Sequence, residues 1–108
     1  MSGFDGTGGP ISPGSTCESL VIDTLLASPR QDVIGNFRIG DFLDVSLGNN
    51  DVGQRVVEVR FQGQLAGGLA SPAVGRLREC LEGGTRYQAR VTGKRDALVR
   101  VRVTAVRQ

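Results

Sequence analysis

The stretch RYQARVTGKRDALVRVRVTAV, residues 86–106, decides the fold. On its first limb, Arg86 to Thr92, the residues Tyr87, Ala89 and Val91 alternate with Arg86, Gln88, Arg90 and Thr92. On its second, Leu98 to Val106, the residues Val99, Val101, Val103 and Ala105 alternate with Arg100, Arg102 and Thr104. Successive side chains of a strand point to opposite faces, so each limb has an apolar inward face and a polar outward one. Gly93-Lys94-Arg95-Asp96 separates the limbs and is read as the turn of a hairpin.

The same period recurs toward the N-terminus. Arg55 to Phe61 alternates Val57, Val59 and Phe61 with Glu58 and Arg60, and Gln62-Gly63 turns the chain into Gln64 to Leu69, a further hairpin. Phe42 to Leu47 sets Leu43, Val45 and Leu47 against Asp44 and Ser46, and Gly48-Asn49-Asn50-Asp51 follows as a loop. Glu18 to Ala27 is rich in aliphatic and β-branched residues and ends at Ser28-Pro29, so it is read as the first strand. One segment has the helical period instead. After Ser71 as cap and Pro72 at the first helical position, Val74, Leu77 and Leu81 recur at spacings of three and four with Cys80 beside them, and Gly83-Gly84 ends the run. The fold class read from these elements is mainly β: a small, partly closed antiparallel barrel of about six strands, with one α-helix between strands four and five. Closure would also remove strand edges that invite aggregation.

A chain of 108 residues suits one domain and one core. Its 16 glycines are about twice the usual ~7% and agree with many tight turns. Met1 to Thr16 has little to bury and is read as a flexible Gly/Pro-rich tail, with residues 17–108 as the single domain. No apolar run approaches a membrane span and no secretion signal is recognised, so the expected location is cytoplasmic. In that setting two cysteines are read as reduced: Cys80 is expected as a small buried side chain, not bonded to Cys17.

Charge is divided between the halves. Residues 1–54 hold two Arg against seven carboxylates, whereas residues 55–108 hold eleven Arg or Lys against four. Within the basic half, alternation places Arg86, Arg90, Arg100 and Arg102 on one face of the last hairpin, with Lys94 and Arg95 at its tip. These six are the candidate binding residues, for phosphates of single-stranded nucleic acid or for an acidic protein surface. The competing reading pairs the arginines internally with Asp23, Asp41, Asp44 or Glu58. Tyr87 and Phe61 fall inward, which leaves Phe42, outward beside Asp44, as the best contact aromatic. There is no His, the two Cys lack metal spacing, and Asn49-Asn50-Asp51 lacks the alternating ligands of a calcium loop, so no metal or other cofactor is expected. A lone Ser or Cys without a His has no base to activate it, and the chain is read as no enzyme.

From Arg55 onward the order of features resembles the HIRAN domain, a small β-barrel associated with DNA-processing proteins. The resembling parts are the strand Arg55 to Phe61, the Gly-containing strand Gln64 to Leu69, the helix Pro72 to Leu81, the Gly83-Gly84 stop and the strand Tyr87 to Val91. The chain departs from that family's pattern at Asn49-Asn50-Asp51, which lacks a proline. The resemblance implies a DNA-associated accessory domain that binds single-stranded ends. Two functions are thus expected: a nucleic-acid-binding module using the arginine hairpin, or a protein-interaction or self-associating adaptor that joins acidic and basic halves.

Overall fold

A computed structural model describes residues 17–106, and the tail expected over Met1 to Thr16 lies outside them. The elements run β1 (Val21–Leu25), α1 (Gln31–Ile34), β2 (Phe42–Asn49), β3 (Arg55–Phe61), β4 (Gln64–Leu69), α2 (Val74–Glu82), β5 (Tyr87–Arg95) and β6 (Leu98–Ala105). The six strands form one antiparallel sheet in the order β1-β6-β5-β2-β3-β4.

The sheet curls into a half-barrel because the chain just after β1 reaches its far margin. Ala27 and Gly68 exchange backbone hydrogen bonds of 2.8 and 2.9 Å, and the Arg30 N–H donates to the Ala66 carbonyl at 2.8 Å. Only a residue without a side chain fits beside this junction: a Cβ on Gly67 would lie 2.9 Å from the Ala27 carbonyl oxygen. The partly closed antiparallel barrel expected from the sequence is the fold observed.

Its interior is filled by the inward residues of the period-two pattern. Val57, Val59, Ala89, Val91, Val99, Val101 and Val103 are buried. Burying an aliphatic side chain of this size is worth about 1.5–3 kcal/mol. A one-residue slip of β6 would move three valines to solvent, so the alternation fixes the register. Helix α2 lays Leu77 and Cys80 on this core, with Val74 and Leu81 at the margin. Its lead-in turn is set by Ser71, whose Oγ accepts the Ala73 N–H at 3.0 Å. Gly84, at φ +101°, takes the left-handed position that ends it. The β3–β4 turn likewise needs positive φ at both Gln62 and Gly63, the geometry of a tight hairpin.

Three features depart from the sequence reading. Helix α1 falls where no element is expected; it buries Val33 and Ile34, and Phe37 just beyond it meets the Phe61 ring edge-on at 5.0 Å. Cys80 is in the core as expected, but it is bonded to Cys17, with the Cα atoms 5.6 Å apart. The pairing arises because residues 17–19 turn helical just before β1, and the buried Tyr87 hydroxyl donates to the Cys17 carbonyl. Finally, the last hairpin is longer than expected, with Gly93, Lys94 and Arg95 inside β5 and the turn reduced to Asp96-Ala97.

Candidate functional site

The outer face of the β1-β6-β5-β2 portion carries the candidate residues. Cross-strand register places Asp23, Arg102, Arg90 and Phe42 in one row across four strands. Arg102 and Arg90 are direct neighbours, and like charges there are unfavourable. Each turns toward a different partner. The Arg102 Nε donates to Asp23 Oδ1 at 2.8 Å, which also holds the Arg102 proton more tightly than usual. The Arg90 guanidinium lies 5.9 Å from the centroid of the Phe42 ring, a cation–π distance.

The remaining arginines are less engaged. Arg86, Arg95 and Arg100 are exposed, and among the described residues none has an ion-pair partner. The internal pairing weighed from the sequence is therefore realised once, between Asp23 and Arg102. Asp41 instead accepts the Arg38 backbone N–H at 2.9 Å, and Glu58 pairs with Arg60 on its own strand at 3.0 Å. Asp44 sits opposite Gln88 and Arg60.

Lys94 does not join this face. Val91 pairs with Val101 but Gly93 pairs with Arg100, so Thr92 is an inserted residue that shifts the alternation by one. Beyond the bulge Lys94 lies opposite the inward Val99, and Arg95 lies opposite the outward Leu98. The Lys94 ammonium accordingly donates to the carbonyls of Gly35 and Phe37, at 3.3 and 3.4 Å, where α1 ends. A cation there satisfies carbonyls left without helical partners. The bulge thus gives Lys94 to the interior-facing side and returns Arg95 to the arginine face.

Phe42 was the contact aromatic expected from the sequence, and it is 58% exposed on the same face as the arginines. Sequence reasoning passed over other apolar residues of the face: Leu98 beside Arg95, and Val21 and Leu25 on β1, are also outward and exposed. The signal was present in their alternation with Val99, Ile22 and Thr24. Where β2 parts from β5, an open groove of about 670 Å³ lies between Ser46, Leu47, Leu81 and Val106, with Arg86 at its rim. Among the described residues no three of His, Cys, Asp and Glu are grouped to hold a metal ion, and no helix is long and apolar enough to cross a membrane. Compared with known proteins, the chain matches no family model, no curated protein and no solved structure.

Proposed function

We propose that this chain is a non-enzymatic binding module that takes nucleic acid on the outer arginine face. The observation that carries this reading is that Arg86, Arg95 and Arg100 stand exposed on one face with no carboxylate partner among the described residues. Guanidinium groups left in water are ready to exchange counterions for phosphate oxygens, and they offer a forked, bidentate geometry to do so. The HIRAN resemblance rests on the element order β3, β4, α2, β5. The test is fluorescence anisotropy of a labelled oligonucleotide over a salt series, with wild type and with Arg86→Gln, Arg95→Gln and Arg100→Gln combined. Affinity should fall in the triple variant. The slope of log affinity against log salt should shrink by up to about 2 for single strands and about 3 for duplex. Absence of binding by the wild type at low salt would overturn the proposal.

Self-association is the second reading, and it is favoured by the exposed Val21, Leu25 and Leu98 on the β1–β6 margin of that face. Sedimentation that stays monomeric across the working concentration range would dismiss it. As to location, a cytoplasmic protein would hold Cys17 and Cys80 reduced, whereas the bond between them favours an oxidising compartment. Alkylation of free thiols in intact cells before lysis separates the two.

A further inference from the structure

We infer that the Phe42–Arg90 corner of the arginine face is a stacking platform for an unpaired nucleobase, which makes single-stranded nucleic acid the preferred partner. The inference rests on the nucleic-acid reading above and adds the residue that selects among nucleic acids. An aromatic ring 58% exposed at the start of a strand contributes little to the core, yet this one has a cation beside it and follows a loop bonded to β5. Arg90 lies against it across the β2–β5 ladder, 5.9 Å from the ring centroid. The loop that leads into Phe42 is stitched to β5 by two backbone bonds, Gly40 N–H to the Val91 carbonyl at 2.7 Å and Val91 N–H to the Asp41 carbonyl at 2.9 Å. Within that loop Gly40 has a φ of +100°, a conformation that glycine adopts freely. Ile39, three residues before Phe42, is also exposed.

The chemistry of this corner distinguishes strands from duplex. An unpaired base presents a π-face that a fixed ring can cover, while the adjoining guanidiniums meet the phosphates on either side of it. In a duplex the base faces are already stacked on one another, and only the phosphates remain for the arginines. Stacking on an aromatic side chain is worth about 1–3 kcal/mol per base, a difference of roughly 5- to 150-fold in affinity.

The experiment compares Phe42→Ala and Phe42→Trp with wild type, using a fluorescein-labelled oligo-dT strand and a duplex of equal length at low salt. Circular dichroism melts confirm that the variants fold. Phe42→Ala should weaken strand binding roughly 5- to 150-fold and leave duplex binding unchanged. The chain has no Trp of its own, so Phe42→Trp introduces a single reporter at the platform. Its fluorescence should be quenched by an unlabelled strand and not by duplex. Equal losses on strand and duplex in Phe42→Ala, or fluorescence from Phe42→Trp that the bound strand leaves unchanged, would overturn the platform while the nucleic-acid reading stood. Failure of the wild type to bind either oligonucleotide would overturn both.

Discussion

Tyr87 is 4% exposed but carries a hydroxyl, and that hydroxyl donates to the Cys17 carbonyl. Burial raises its pKa above the ordinary 10.0, with the positive charge of Arg76 working in the opposite direction. The folded state therefore favours the protonated phenol. Its contribution to stability is whole below pH 10 and disappears as pH climbs through the folded value. Tyr87→Phe should cost about 0.5–1.5 kcal/mol at neutral pH and flatten the alkaline limb of the stability profile. Urea denaturation at a series of pH values measures both effects. Tyr87 is the single tyrosine of the chain, so tyrosinate absorbance follows this group alone. An alkaline limb as steep in Tyr87→Phe as in wild type would show that another group causes it. At this scale the sequence was informative about direction and silent about partners. Alternation identified Tyr87 as inward, but nothing in the spacing of Cys17 and Cys80, 63 residues apart, indicated that they meet.

The bulge in β5 sorts two adjacent cations onto opposite faces, and this makes them experimentally separable. Lys94→Gln should leave oligonucleotide affinity and its salt slope unchanged and reduce stability by about 0.5–1.5 kcal/mol, as carbonyls at the end of α1 lose their donor. Arg95→Gln should do the reverse, with stability within about 0.5 kcal/mol of wild type and a slope reduced by up to about 1. Anisotropy and denaturation on the two variants decide the assignment; a salt slope that falls in Lys94→Gln would return Lys94 to the binding face. The bounds of β3 and β4 were legible to the residue, because the alternation of β3 and the turn residues Gln62-Gly63 agreed there. The bulge was not, since an inserted Thr92 looks in sequence like the start of a turn rich in glycine and charge. Helix α1 was missed for a related reason. Four residues make barely one turn, and its apolar Val33, Ile34 and Phe37 acquire meaning only against β4 and Phe61, which are remote in sequence.

For the whole molecule, the Cys17–Cys80 bond closes a loop spanning 63 residues. Constraining the unfolded chain over such a loop is worth about 4 kcal/mol on the chain-entropy account. Reduction, or Cys17→Ser, should therefore lower the unfolding free energy by about 2–4 kcal/mol. Paired urea titrations with and without reductant check this, and superimposable curves would show that the bond contributes nothing. The same bond joins the segment just before β1 to α2, while β1 itself hydrogen-bonds along β6. That pairing has a consequence for biosynthesis. Val21 of β1 pairs with Thr104, so the half-barrel cannot be completed on a nascent chain before residue 104 has emerged. Until then Ile22 lacks its ladder to Val103, and the growing polypeptide exposes an unfinished sheet margin whose unburied aliphatic residues favour aggregation.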